Sequence, residues 1–190
     1  FNNEEQARIA TLNVTYGEQS FNVLVRQAEG MVVDVEFVAT SLNGEYYGTA
    51  YSPDPNYFAI LSKNGTTGWS DLYIDSYYRF DLYSTTTTDT SAPVLPHGVF
   101  TFDYYDQGLA GTFGHPRSVL IETFENGNLV ESQIEDGVLF ITDNKIEAYI
   151  KFVNGKVHHV VYEGPLGLGY IPLEEPDYYS TLTEDHIFNH

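Results

Sequence analysis

Side chains that could hold a metal ion occur at two places in this sequence. His158 and His159 are adjacent, and Asp103 and Asp106 flank two tyrosines. Neighbouring residues on a strand point to opposite faces, so the two histidines cannot chelate one ion together. Asp103 and Asp106 could offer oxygen ligands to calcium, although they lack the dense Asp, Asn and Gly pattern of a calcium-binding loop. A metal site at these two aspartates is left open, and no cofactor is predicted.

Catalytic residues are not predicted at any position. Asp71 and Asp75 would share one strand face, as the two acids of a glycosidase must, but among 27 acidic residues some such pair is expected. The Gly-x-Ser-x-Gly pattern of a serine hydrolase does not occur. The absence of cysteine excludes thiol catalysis, disulfides and zinc held by cysteine.

Aromatic side chains give the best indication of function. The chain has 16 Tyr and 12 Phe but one Trp, which lies in a Gly-Trp-Ser-Asp context. An exposed ring beside Asp, Asn or Gln can stack on a sugar while the polar groups bind its hydroxyls. The candidate ligand-binding residues are Trp69, Tyr77, Tyr104 and Tyr105. The alternative is that these rings complete a sheet and its cross-strand pairs.

The charge of the chain restricts its partners. The net charge of −19 comes from 27 acidic and 8 basic residues. Such a surface repels phosphate backbones and anionic membranes, so nucleic acid is excluded as a partner. No apolar run reaches about 18 residues, so no transmembrane segment is predicted. A glycan or a protein remains as the expected partner.

Strands must position these residues, because a two-residue alternation of apolar and polar side chains runs along the chain. In residues 77–83 the alternation predicts that the apolar side chains Tyr78, Phe80 and Leu82 point inward and that Arg79, Asp81 and Tyr83 point outward. The dipeptide Asn43-Gly44 predicts a tight hairpin turn. Helical periodicity is absent from every window of about 11 residues or more.

These signals predict an all-β protein. Roughly 10–12 short strands indicate an antiparallel meander that forms a β-sandwich or a flattened lipocalin-like barrel. Residues 1–173 are assigned to a single all-β domain, and residues 174–190 to an acidic C-terminal tail. Because the chain opens at Phe1 and its one methionine is Met31, we expect that a signal peptide or a lipid anchor has been removed and that the protein is exported.

Six motifs follow one another between residues 44 and 166. They are Gly44-Glu45-Tyr46-Tyr47-Gly48, 56–61, 78–83, 95–100, 134–139 and Tyr162-Glu163-Gly164. Their order resembles that of uncharacterised β-rich surface lipoproteins of gut Bacteroidetes. The resemblance implies an all-β fold and a location in the cell envelope or outside the cell. It implies no catalytic residues, and the cysteine that carries the lipid in such proteins is missing from this chain.

Two classes of function follow from these observations. The first is an exported or cell-surface, non-catalytic binding or adhesion module for a glycan or a protein. The alternative is a lipocalin-like carrier of a small ligand, or an unrecognised hydrolase, with a cavity inside the barrel. A filled core with aromatic side chains on an outer face would support the first class, and a hollow barrel lined by tyrosines and acids would support the second.

Overall fold

The computed structural model describes residues 8–17, 19–27, 32–63, 76–123 and 129–171. These residues contain thirteen strands, which are β1 (Arg8–Tyr16), β2 (Gln19–Gln27), β3 (Val35–Ala39), β4 (Ser41–Gly48), β5 (Asn56–Ser62), β6 (Tyr77–Tyr83), β7 (Gly98–Asp103), β8 (Thr112–Gly114), β9 (Val119–Thr123), β10 (Leu129–Thr142), β11 (Lys145–Phe152), β12 (Val157–Glu163) and β13 (Gly169–Tyr170). The predictions for Trp69 and for the tail 174–190 lie outside the described residues.

The strands form two sheets, and the all-β prediction is confirmed. Strands β1 and β2 pair antiparallel as a two-stranded sheet of their own, and the other eleven strands form one sheet. The part of the chain that the structure describes contains no helix long and apolar enough to cross a membrane.

Five strands of the large sheet close into a small barrel. Strand β6 pairs with β8, β8 with β7, β7 with β10, β10 with β9, and β9 pairs back with β6. The long strand β10 makes this possible, because Leu129–Gln133 pairs with β9 and Val138–Ile141 pairs with β7. Two arms extend from the barrel: β5, β4 and β13 from β6, and β11, β12 and β3 from β10.

The pairing order is a meander with additions. Consecutive strands pair antiparallel in β4–β5–β6 and in β10–β11–β12, which agrees with the predicted antiparallel meander. Three further pairs are parallel: β3 with β12, β7 with β8, and β4 with β13. Turn residues report only on neighbours in the sequence, so these parallel pairs left no signal in the sequence.

One filled core lies between the barrel and its arms. Its largest members are fully buried rings, and Phe113 contacts the rings of Phe80 and Phe102 with centroid distances of 5.8 and 5.6 Å. A Cβ at Gly137 would lie 3.1 Å from the Phe113 ring and 3.0 Å from the Tyr149 carbonyl oxygen. The space inside is therefore taken up by aromatic side chains, as in a packed protein interior.

A second, smaller cluster covers the outer face of β5, β6 and β9. Its buried members are Phe58, Ile60, Tyr77, Val119 and Ile121. Because side chains alternate along a strand, β5 and β6 bury residues on both faces. This corrects the prediction for residues 77–83: Asp81 and Tyr83 point away from the main core, but they are only 1% and 3% exposed.

The predicted turn at Asn43-Gly44 is wrong. Both residues lie inside β4, and the chain bends instead at Thr40, between β3 and β4. A Cβ at Gly44 would lie 2.0 Å from the carbonyl oxygen of Phe58 on the neighbouring strand. The glycine serves the close approach of β4 to β5, which is a known use of glycine within a strand.

Candidate functional site

A pocket of about 370 Å³ lies on the outer face of β4, β5 and β6, next to the smaller cluster. We call it the arginine pocket, and its lining residues are Tyr47, Tyr51, Asn56, Phe58, Arg79, Asp81 and Arg117. It combines aromatic rings, charged groups and an amide in one concave surface, which is the usual composition of a ligand site.

The pairing of β5 with β6 sets the positions of the central residues. Phe58 lies opposite Asp81, and Ile60 lies opposite Arg79. Because residues two apart on a strand share a face, Phe58, Arg79 and Asp81 all point away from the main core. Arg117 comes from the turn between β8 and β9, which completes the pocket from a third part of the chain.

Asp81 is the buried floor of the pocket. Its Oδ1 accepts a hydrogen bond from Asn56 Nδ2 at 2.8 Å, and its Oδ2 accepts one from the Tyr83 hydroxyl at 2.9 Å. Nη1 of Arg117 lies 3.5 Å from Oδ2, and the backbone N–H of Asp81 donates to Ser118 Oγ at 3.0 Å. The buried carboxylate needs the contacts with Asn56, Tyr83 and Arg117, because an unpaired charge without water is strongly disfavoured.

The Tyr83 hydroxyl joins two carboxylates. It lies 2.9 Å from Asp81 Oδ2 and 2.8 Å from Asp106 Oδ1. Burial is the main cause that raises the pKa of Tyr83, and the charge of Asp81 adds to it, so the hydroxyl keeps its proton. Burial also raises the pKa of Asp106. Asp81 is closed to solvent, so this pair of acids is not placed to act on a substrate.

The aromatic wall of the pocket has a buried part and an exposed part. Phe58 is 8% exposed, whereas Tyr51 is 65% exposed and lies at the rim. The rings of Tyr47 and Tyr51 meet edge to face with centroids 5.7 Å apart. The Tyr47 hydroxyl donates to the Glu45 carboxylate, and burial followed by this bond raises the pKa of Tyr47. Tyr51 therefore offers the accessible ring.

The two arginines of the pocket are joined by a hydrogen bond from one side chain to the backbone of the other. Arg79 Nε donates to the carbonyl oxygen of Arg117 at 2.6 Å. The Arg79 guanidinium also lies over the Phe58 ring, 5.8 Å from its centroid, which is a cation–π distance. The Arg117 side chain is 54% exposed. Arg79 is thus held in place, and Arg117 is open to solvent.

The candidate ligand-binding residues from the sequence do not come together in this pocket. Tyr104 and Tyr105 are 61% and 80% exposed, and Tyr104 stacks on His115 with ring centroids 5.1 Å apart. Tyr77 is 5% exposed and packs in the smaller cluster, so it offers no ring face to a ligand. Trp69 lies outside the described residues.

The two aspartates of the open metal hypothesis have partners within the protein. Asp103 accepts backbone hydrogen bonds from Tyr105 at 3.0 Å and from Gln107 at 2.9 Å, which shapes the turn after β7. Asp106 Oδ1 lies 2.8 Å from the Tyr83 hydroxyl, and the Asp106 side chain packs against the backbone at Gly114. Across residues 8–171, as far as they are described, no three His, Asp or Glu side chains form a group that could hold a metal ion.

The histidines point to opposite faces of β12, as predicted. His159 lies on the outer side between Glu36 and Glu147. His158 lines a second pocket of about 190 Å³, which we call the histidine pocket, and it is 7% exposed. Its Nδ1 lies 2.7 Å from the Tyr78 hydroxyl, and its buried Nε2 has no hydrogen-bond partner among the described residues. Burial, followed by the charge of Lys156, lowers the pKa of His158.

Sequence reasoning missed Tyr51, Arg79 and Arg117. One signal was present: four arginines occur in a chain with 8 basic residues, and Arg79 lies at an outward strand position among aromatic residues. The pairing that brings Arg117 beside it depends on the barrel. No turn signal reports that pairing.

Comparisons with known proteins give no further assignment. No family model matches the chain, and neither a curated protein nor a solved structure matches it. The resemblance to surface lipoproteins therefore stays a prediction. The function has to be argued from the geometry of this chain.

Proposed function

We propose that this protein is an exported, non-catalytic binding module that holds a glycan in the arginine pocket. The observation that carries the proposal is the convergence of aromatic rings and hydrogen-bonding side chains in one pocket on an outer face. A sugar places its apolar face on an aromatic ring and its hydroxyls on polar groups. Tyr51 offers such a ring, and Arg79 and Arg117 offer hydrogen-bond donors.

The size of the pocket favours a glycan over a protein surface. Its volume of about 370 Å³ is within the usual range for small-ligand sites. A stable protein interface needs a much larger and flatter contact area. One or two sugar rings fit such a concave site.

The alternative functions have less support. A lipocalin-like carrier needs a hollow interior, whereas the fully buried ring of Phe113 contacts the rings of Phe80 and Phe102 in this protein. A hydrolase needs accessible acids, whereas Asp81 is 1% exposed and its oxygens accept hydrogen bonds from Asn56 and Tyr83. The filled core with rings on an outer face fits the binding module better.

Export and a location at the cell envelope complete the proposal. They rest on the order of the six motifs between residues 44 and 166 and on the resemblance that this order carries. Fractionation of the natural host should recover the protein with the envelope or in the medium. Recovery of all of it with the cytosol would contradict this part alone.

The binding proposal is tested with a glycan array, followed by calorimetric titration of each glycan that binds. Tyr51→Ala should lower the affinity at least about tenfold, because stacking on an exposed ring is lost. Tyr105→Ala is the matched control, because it removes a tyrosine outside the pocket that is even more exposed than Tyr51. Trp69→Ala tests the prediction from sequence in the same assay.

Each outcome decides between the sites. Loss of binding in Tyr51→Ala with full binding in Tyr105→Ala supports the arginine pocket. The reverse result would move the site to the turn that follows β7, and loss in Trp69→Ala alone would move it to residue 69. An array without any bound glycan would overturn the proposal.

A further inference from the structure

The polar groups of the arginine pocket are unevenly satisfied. Asp81 accepts hydrogen bonds from two side chains, and the Glu45 carboxylate beside the pocket accepts the Tyr47 hydroxyl. In contrast, Arg79 uses its Nε on one carbonyl, and Arg117 makes one long contact of 3.5 Å. A guanidinium carries several further N–H donors beyond Nε. Among the described residues, no carboxylate forms an ion pair with Arg79. The pocket therefore has more hydrogen-bond donors than acceptors.

The local charge differs from that of the whole chain. The protein has a net charge of −19, yet two of its four arginines line this one pocket together with a single buried carboxylate. The field of the whole chain repels dense polyanions, whereas salt screens it beyond about 8 Å at physiological ionic strength. A ligand with one isolated negative charge can reach the arginines, and a densely sulfated or phosphorylated chain is disfavoured.

We propose that the arginine pocket selects a carboxylated sugar, with its carboxylate held by Arg79 and Arg117 and its ring on Tyr51. This inference rests on the proposed glycan-binding function. A carboxylate is planar and accepts two parallel hydrogen bonds from a guanidinium, which a lysine cannot reproduce. Because its Nε bond and the Phe58 ring fix Arg79, that side chain loses little freedom on binding.

The test compares each sugar acid with its own methyl ester, which keeps the ring and removes the charge. The probes are galacturonate and sialyllactose, which carry one carboxylate each, and each is titrated as free acid and as ester into the complete protein. The free acid of at least one probe should bind at least about tenfold more tightly than its ester. This preference should weaken as salt is added, because the contact is electrostatic.

Variants locate the preference. Arg117→Gln should reduce the ratio of acid to ester affinity to near one, and Arg117→Lys should restore only part of it. Arg79→Gln should act like Arg117→Gln. Lys151→Gln is the matched control, because it removes one positive charge from an exposed residue on β11. Its ratio should equal that of the unchanged protein.

The outcomes separate this inference from the broader proposal. Equal binding of acid and ester, or failure of both probe acids to bind, overturns the carboxylate inference, and neutral glycans on the array then decide the glycan proposal. An acid preference that Lys151→Gln lowers as much as Arg117→Gln also overturns it. Thermal melting of each variant shows that the fold is intact, and the comparison of acid and ester in the unchanged protein needs no variant at all.

Discussion

Two neighbouring residues on β6 lead to two different pockets. Tyr78 points into the main core and reaches His158, whereas Arg79 points outward and reaches Arg117. In the histidine pocket burial dominates, and it lowers the pKa of His158 and raises that of Tyr78, so both groups are held in their neutral forms. In the arginine pocket the Arg117 guanidinium lies near solvent, above the buried carboxylate of Asp81. One strand thus presents a neutral side chain to the interior and a charged side chain to the outer face at two successive residues.

The two pockets also differ in what is left unsatisfied. Among the described residues of the histidine pocket, the atom without a hydrogen-bond partner is the buried Nε2 of His158. In the arginine pocket it is a set of guanidinium donors on a partly exposed surface. A buried polar atom without a hydrogen-bond partner lowers the stability of the fold, whereas exposed donors are hydrated until a ligand replaces the water. The first pocket should therefore be sensitive in stability measurements, and the second in binding measurements.

Asp81→Ala should have the largest effect on stability. It leaves Asn56, Tyr83 and Arg117 without their shared acceptor, and we expect a loss of roughly 3 kcal/mol in the free energy of unfolding. Urea denaturation measures it. Glu135→Ala, which removes a half-exposed carboxylate on β10, is the control and should cost far less. Equal stability of the two variants would show that Asp81 is not the structural floor of the pocket.

Tyr78→Phe should have the next largest effect. It removes the hydroxyl that lies 2.7 Å from His158 Nδ1 and leaves that nitrogen without a partner. We expect a loss of about 1–2 kcal/mol in the free energy of unfolding. Tyr149→Phe, whose hydroxyl makes a longer bond of 3.3 Å to Glu147 on the outer side, should cost less. A larger loss of stability in Tyr149→Phe than in Tyr78→Phe would contradict the contrast between the buried and the outer tyrosine hydroxyl.

Acid should destabilise the histidine pocket in a defined direction. The folded pKa of His158 lies below its ordinary value of 6.5, so the unfolded chain binds more protons than the folded one as the pH falls below that value. Stability is therefore lost on acidification below 6.5. His158→Asn should show a shallower loss as the pH falls below 6.5, measured as melting temperature against pH. His159→Asn serves as the control, and an unchanged slope in His158→Asn would contradict the assignment.

Tyr51→Ala should have the smallest effect on stability and still change binding. The ring is 65% exposed, so we expect a change within about 0.5 kcal/mol in the free energy of unfolding. Tyr47→Ala should lower the free energy of unfolding more than Tyr51→Ala, because the Tyr47 ring is half-buried beside the smaller cluster. A large loss in Tyr51→Ala would mean that this ring supports the fold and does not serve mainly as a binding surface.

The sequence predicts individual strands better than their partners. Alternation in residues 77–83 predicts β6 with the bounds that the structure gives. The same alternation does not predict that Asp81 is buried, because a period-two pattern separates the two faces of a strand and does not say whether the outer face is covered. The turn prediction at Asn43-Gly44 is wrong for a related reason. Glycine occurs both in tight turns and where two strands approach closely, and the dipeptide alone does not distinguish these two uses.

The candidate site was less predictable than the fold. Tyr104 and Tyr105 are both exposed, but exposure alone does not make a pocket. The pocket needs Arg117, whose position follows from the return of β9 to β6 and from the closed barrel. Such contacts join distant parts of the chain. They are decided by packing of the whole sheet and not by local patterns.

The parallel pair of β3 and β12 has a consequence for synthesis. The backbone N–H of Val157 donates to the Asp34 carboxylate across 123 positions of sequence, and Val35 lies opposite His158. A growing chain on the ribosome has to expose β3 long before its partner exists. This edge of the sheet can be sealed only after β12 has emerged, so we expect final folding to follow, and not to accompany, translation of most of the chain.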